Sequence, residues 1–323
     1  MNRKFEKQKT LAREVSFCGI GLHSGKNVTM TLKPVASDTG IIFHRTDRSN
    51  GSASILSNFS NVVNVDHSTN LGNTRGDCVI RTVEHLLAAL HAFGIDNLLV
   101  ELDGPEVPIA DGSSKPLVSL IENAGTRELP YYKERMYIRK PVEYSDGDKF
   151  IRISPHKKLK ITYHIDFRHH LIGKQSYSLV LTKNSFVKKI ASARTFCLLH
   201  EVEYLRKNGL AKGGSLKNAV VVAEDKVLNG GLRYNDEFVR HKVLDLLGDL
   251  SLIGKSLVGH VEVYKGGHHL HTKLIQEIFS RPDSYTIEKA GSKPFPVSAP
   301  MSLQKRADHI ERLEFFPLPN TAL

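Results

Sequence analysis

The stretch FVRHKVLDLLGDL, residues 238–250, decides how this chain folds. At about 100° per residue, Val243, Leu246, Leu247 and Leu250 fall on one stripe of a helix, with His241, Asp245, Gly248 and Asp249 on the opposite side. The segment RTVEHLLAALHAFG (81–94) has the same design, with Val83, Leu86, Leu87 and Leu90 opposed to Glu84, His85, Ala88, Ala89 and Ala92. A solvated face carries long Lys, Glu and Arg side chains, so small residues beside titratable ones imply close packing. The two helices are therefore expected to face each other, with the titratable groups in the seam.

Around each helix the chain repeats a plan. VTMTLKP (28–34) and IIFHR (41–45) read as strands, and NLLVELDGPEVPIADGSS (97–114) as strand, turn, short strand and loop. PLVSLIENAG (116–125) reads as a second helix, with Pro near its start and Gly after its end. Strands resume in MYIRKPVEYSDGDKFIRISP (136–155), which holds a Gly-Asp turn, and in LKITYHIDF (159–167). After the long helix, roughly 237–253, come one strand SLVGHVEVYK (256–265), a Gly-His loop and a short helix HTKLIQEIFS (271–280). The expected class is α+β: two similar domains, each a β-sheet with two helices on one face, packed as a β-α-α-β sandwich. The expected boundaries are 1–127 for the first domain, 128–135 for a linker, 136–285 for the second domain and 286–323 for a C-terminal tail. The second domain carries an insertion at 195–222, long enough to imply a purpose of its own.

Composition narrows the classes. Three cysteines, Cys18, Cys78 and Cys197, form no CxxC pair and no even framework, so a reducing compartment is expected and any metal must lean on His and carboxylate. The N-terminal MNRKFEKQKTLAREVSF has no apolar core of a signal peptide, and no apolar run approaches the roughly 20 residues of a membrane span. A cytoplasmic protein is expected. The net charge of +11 suits nucleic acid, an anionic membrane surface or a phosphorylated small molecule. Zinc-finger spacing, RNP-type aromatics and long Lys/Arg blocks are all missing, which leaves nucleic-acid binding as the alternative reading.

His241 and Asp245, at i and i+4, are neighbours on one helical turn and suit two ligands of one ion. His85 is the candidate third ligand; three protein ligands leave a position for water, and Glu84 is placed to take a proton from that water. The pattern is not the HExxH of zincin proteases. An isolated HxxxD pair also reads as a surface ion pair, and a Glu-His dipeptide says less still. What favours a metal is the coincidence of both on small-residue faces at equivalent places of the repeat.

RTVEHLLAAL with GIDNLLVEL after it, FVRHKVLDLLGDL, GIGLHSG (19–25), IADGSS (109–114), SARTF (192–196), LAKGGS (210–215) and YKGGHHL (264–270) together resemble the UDP-3-O-acyl-N-acetylglucosamine deacetylase family, in order over about residues 10–280. The resemblance implies the sandwich of two similar domains with the active site between them. It also implies a zinc-dependent amidase of lipid A biosynthesis in Gram-negative bacteria, with one catalytic Zn2+ held by His85, His241 and Asp245. By the same resemblance, Glu84 is the general base, His268 the catalytic histidine, Asp249 the carboxylate that orients it, Thr195 the oxyanion hydroxyl, and Lys242 lies near the substrate. Substrate contacts are implied for Leu22, His23, Phe196, Lys149 and Lys265, and for Phe167, which could stack on uracil. The insertion resembles the family's acyl-chain passage, with Leu199, Val202, Gly214, Ser215, Ala219 and Val221 as its wall. The implied partner is the small-molecule substrate, with no nucleic acid; a monomer and peripheral contact with the inner membrane are further expectations. Some members carry a cysteine about twenty residues before the Glu-His pair that holds an inhibitory second zinc. Here VDHSTNLGN (65–73) offers Ser68, which implies weaker inhibition by excess zinc.

Overall fold

Alternating apolar and polar residues build two five-stranded sheets on one plan. In the first, β1 (Val15–Ile20), β2 (Asn27–Lys33), β3 (Ile41–Arg45), β4 (Ser54–Leu56) and β5 (Leu98–Leu102) lie in the order β1-β2-β5-β3-β4. In the second, β6 (Val142–Asp146), β7 (Lys149–Ser154), β8 (Lys160–Asp166), β9 (Lys174–Val180) and β10 (His260–Tyr264) lie in the order β6-β7-β10-β8-β9. In each, the last strand enters the centre, parallel to one neighbour and antiparallel to the other. Val28, Met30 and Leu32 of β2, and Ile161, Tyr163 and Ile165 of β8, bury one face of their strands. The computed structural model describes residues 5–48 and 53–290.

Among the described residues six α-helices complete a mixed α+β fold: α1 (Glu84–Phe93), α2 (Lys115–Ala124), α3 (Lys183–Lys189), α4 (Leu199–Lys207), α5 (Glu237–Ser251) and α6 (His268–Ser280). The central strand of each sheet follows a helix of the repeat, β5 after α1 and β10 after α5. These two helices pack on each other; α5 also covers β8 and β9, and α6 covers β6 and β7. Leu86, Leu87, Leu90, Leu246, Leu247 and Leu250 are fully buried, each worth roughly 1.5–3 kcal/mol of transfer free energy. The small residues on the opposite faces are explained by contact: a Cβ on Gly248 would stand 2.1 Å from the Glu84 carbonyl oxygen. Gly94, with φ of 66°, ends α1 in the left-handed conformation, and its N–H bonds the His91 and Leu90 carbonyls.

Several expectations are corrected. The helix expected over 81–94 starts only at Glu84, because Thr82 has φ of 57° and Arg81 bridges Glu106. That bridge is all that forms of the short strand expected after β5. Most of the expected linker 128–135 is strand: Thr126–Tyr132 turns back to pair antiparallel with Lys7–Leu11. The single strand expected over 256–265 is broken at Gly259, where a side chain would press on Ile153 and Ile138. Ser256–Val258 instead joins a three-stranded sheet with Arg135–Ile138 and Tyr285–Glu288. Residues 286–288 of the expected tail therefore belong to a strand, and 291–323 lie outside the described residues. The last helix starts at His268 rather than 271, so His268 is a helical and not a loop residue. The insertion is a small βαβ unit, with Phe196–Leu198 and Val220–Val222 paired in parallel and α4 between them.

Candidate active site

The seam between α1 and α5 brings His85, His241 and Asp245 together, all buried, with one ligand atom of each within 4.8 Å of the others. His241 Nε2 lies 3.2 Å and His85 Nε2 3.6 Å from Asp245 Oδ1. The Nδ1 of His241 is 3.1 Å from the Ala193 carbonyl, which can only accept, so the proton sits on Nδ1 and the Nε2 lone pair faces the cluster. Burial pushes His241 down to about 3 and keeps it neutral, as a ligand must be. Burial works against charge on Asp245 too, yet its carboxyl is held well below the usual carboxylate range, with the Lys242 ammonium 3.0 Å from Oδ2 as the positive charge beside it. Two imidazoles and a carboxylate form a donor set that fits a zinc-type divalent cation.

Beside the cluster lies a second one. Burial pushes Glu84 up to about 7, and its Oε2 accepts the Thr69 backbone N–H at 3.0 Å. Its Oε1 is 4.0 Å from His268 Nε2. Burial opposes charge on His268, yet Asp249, 2.7 Å from its Nδ1, raises it to about 9. Asp249 in turn overcomes burial through His268 and His271 and falls to about 2. His271, one helical turn beyond His268, also puts Nδ1 2.7 Å from Asp249 Oδ2, and its Nε2 is 3.1 Å from the Tyr163 hydroxyl.

The cleft over these groups has a volume of about 170 Å³ and is lined also by Leu22, His23, Thr195, Phe196 and Lys242. The SARTF motif is held from two sides. Arg194 donates to both carboxylate oxygens of the fully buried Glu237, at 2.8 and 3.0 Å, locking the segment to the first turn of α5. Thr195 N–H donates to the Gly112 carbonyl at 2.8 Å. Gly112 has φ of 85°, and a Cβ there would stand 2.2 Å from the Asn218 carbonyl oxygen, so no larger residue fits this turn of IADGSS. Phe196 packs edge-on against Phe238 and Phe167, and Lys242 Nζ lies 5.6 Å from its ring centre.

Other sequence candidates lie away from the cluster. Lys265 is ion-paired to Asp148 and Asp166 at 2.7 and 3.4 Å, while Lys149 is exposed at the neighbouring hairpin. Phe167 reaches the cleft only through Phe196. Ala219 and Val221 are buried, Val202 and Gly214 half-buried, and Leu199 and Ser215 exposed; none lines the cleft. A second, open cleft, about 630 Å³, continues past His67 and His268 and is bordered by Tyr204, Asn208 and Leu210 of the insertion instead. Thr69, His67, Ile109 and Tyr163 carried no spacing signal in the sequence. His271 did, at i+3 from His268, but only for a helix starting three residues earlier than its apolar pattern indicates.

Comparison with known proteins points to one family. The family model for UDP-3-O-acyl N-acetylglycosamine deacetylase matches residues 8–280. A UDP-3-O-acyl-N-acetylglucosamine deacetylase of Geobacter sp. (strain M21) is 47% identical over 298 residues, covering 91% of this chain and 97% of its own. That of Myxococcus xanthus (strain DK1622) is 48% identical over 284 residues, 88% of this chain and 90% of its own. That of Campylobacter jejuni (strain RM1221) is 44% identical over 293 residues, 90% and 98% respectively. The match runs through both helices of the seam and every element that carries a residue of the cleft, so the chain belongs to the UDP-3-O-acyl-N-acetylglucosamine deacetylase family.

Proposed function

We propose that the chain hydrolyses the N-acetyl group of UDP-3-O-acyl-N-acetylglucosamine, releasing acetate and the free amine, the committed step of lipid A biosynthesis. The observation that carries this reading is the convergence of His85, His241 and Asp245 with Glu84 and His268 in one cleft of a chain from this family. His85, His241 and Asp245 would hold one Zn2+, which supplies Lewis acidity that brings the pKa of water toward neutrality and polarises an amide carbonyl. Glu84 accepts the proton of the attacking water at its carboxylate. His268, charged through Asp249, donates from Nε2 to the departing nitrogen, which makes the amine a competent leaving group. The Thr195 hydroxyl donates to the developing oxyanion, an interaction of about 3 kcal/mol at similar sites. Lys242 neutralises the outer oxygen of Asp245 and faces the same cleft.

The reading extends outward from the cleft. Lys149, Lys265 and Phe167 would meet the nucleotide, and Leu22, His23 and Phe196 the sugar. The insertion at 195–222 would take the acyl chain, with Leu199, Val202, Gly214, Ser215, Ala219 and Val221 along the passage. The two equal strand orders and the contact of α1 with α5 support a β-α-α-β sandwich of domains 1–127 and 136–285. No described helix is long and apolar enough to cross a membrane. A cytoplasmic monomer touching the inner membrane only peripherally is the proposed setting.

The test combines metal analysis with acetate release from UDP-3-O-acyl-N-acetylglucosamine. His85→Ala and Asp245→Ala are expected to lose zinc, whereas Glu84→Gln keeps it and loses turnover. Purified protein without stoichiometric zinc and without acetate release would overturn the reading; zinc loss in all three variants would mean the base is misassigned.

A further inference from the structure

Glu84, Asp249 and His268 belong to three separate helices, α1, α5 and α6, yet their mutual distances fix the proton chemistry. One residue outside all three touches each of them. Thr69 donates its backbone N–H to Glu84 Oε2 at 3.0 Å, and its carbonyl accepts the Val83 N–H at 3.2 Å. Its hydroxyl lies 2.5 Å from Asp249 Oδ1 and 3.1 Å from His268 Nδ1. An ionised carboxylate only accepts, so the hydroxyl proton goes to Asp249; the His268 Nδ1 proton goes mainly to Asp249 Oδ2 at 2.7 Å. Oδ2 is shared with His271, and Oδ1 is held by Thr69.

The local chain is built to aim this hydroxyl. His67 turns the backbone with φ of 63°, and the strand Asn70–Gly72 pairs with Val79–Ile80 just ahead of α1. The Asn70 side chain accepts from both the Ser68 hydroxyl and the Thr82 N–H. Thr69 is 1% exposed, so little water competes for its partners.

We propose that Thr69 is a positioning residue that ties the base Glu84 and the Asp249–His268 pair into one rigid frame. It rests on the deacetylase reading for what the frame is used for, but not for the frame itself. Without the hydroxyl, Asp249 Oδ1 is left buried without its donor and the carboxylate is free to rotate. The Nδ1 contact of His268 then changes, and Nε2 loses its fixed approach toward Glu84.

The experiment compares zinc-loaded wild type with Thr69→Val, which keeps the shape and the backbone N–H but deletes the hydroxyl, and Thr69→Ser, which restores it. The structural readout is the downfield imidazole N–H proton resonance of the His268–Asp249 hydrogen bond, identified by its disappearance in His268→Gln. It is expected to shift or broaden in Thr69→Val and to return in Thr69→Ser. With substrate, kcat of Thr69→Val should fall about 10- to 100-fold with KM within about twofold, and Thr69→Ser should recover to within about threefold of wild type. If Thr69→Val does not fold, Thr69→Ala takes its place with the same expectation. An unchanged resonance in the hydroxyl-free variant, or Thr69→Ser no better than Thr69→Val, overturns the proposal. A shifted resonance in a protein whose wild type releases no acetate would uphold the frame and overturn the deacetylase reading instead.

Discussion

Gly248→Ala isolates the helix seam as the source of site geometry. Real Cβ atoms essentially never come closer than 3.0 Å to such a neighbour, and the new one would stand 2.1 Å from the Glu84 carbonyl oxygen, so α1 and α5 must part by about 0.9 Å there. The obstacle is backbone, with no flexible side chain to swing aside. Stability should change little: alanine is better than glycine inside a helix by about 1 kcal/mol, which offsets part of an overpacking cost of about 1–3 kcal/mol. A net loss of about 0–2 kcal/mol is expected. Rate should change much more, because the displaced residue is Glu84 itself, with His85 next to it and Asp245 and Asp249 flanking Gly248. A misplacement near 1 Å costs about 100-fold in turnover. Urea unfolding, zinc stoichiometry and acetate-release kinetics on the same preparations separate the two effects. If Gly248→Ala keeps more than half of the wild-type kcat, close contact at this glycine does not set the site, and the reasoning fails. A simple helix-propensity view makes the opposite forecast, a more stable and equally active protein.

Three further outcomes follow from the same structure. Arg194→Met leaves the Glu237 carboxylate buried without its guanidinium and should cost about 3–5 kcal/mol in urea unfolding, whereas a loss below about 1 kcal/mol would mean the pair is replaceable. His268 has its pKa raised from 6.5 to about 9, so its contribution to stability is complete below about pH 6.5 and is lost as pH rises through about 9. The unfolding free energies of wild type and His268→Gln should therefore converge between pH 6.5 and 9, and a gap independent of pH would contradict the Asp249 pairing. Ser68, buried with its hydroxyl donated to Asn70, offers no thiolate for a second zinc. Activity should fall only gradually as zinc is added in excess, and a sharp loss at micromolar zinc would show another ligand there.

The sequence by itself determined which residue types faced each other. Leucine stripes opposed to His, Asp, Ala and Gly specified two helices with a packed back face, because helical periodicity is local and survives in any fold. The Glu-His pair and the HxxxD pair were legible for the same reason, and Pro116 and Gly125 bracketed α2 as their backbone preferences demand. Tertiary structure alone decided the distances. Whether His85 meets Asp245 depends on contact at Gly248, and whether His268 is charged depends on Asp249, Thr69 and His271 converging from separate elements. It also decided that Gly259 splits one apolar run between two sheets and that residues 126–132 turn back to the N-terminal strand. Such choices are energies of contact between residues far apart in the chain, and neither composition nor period records them.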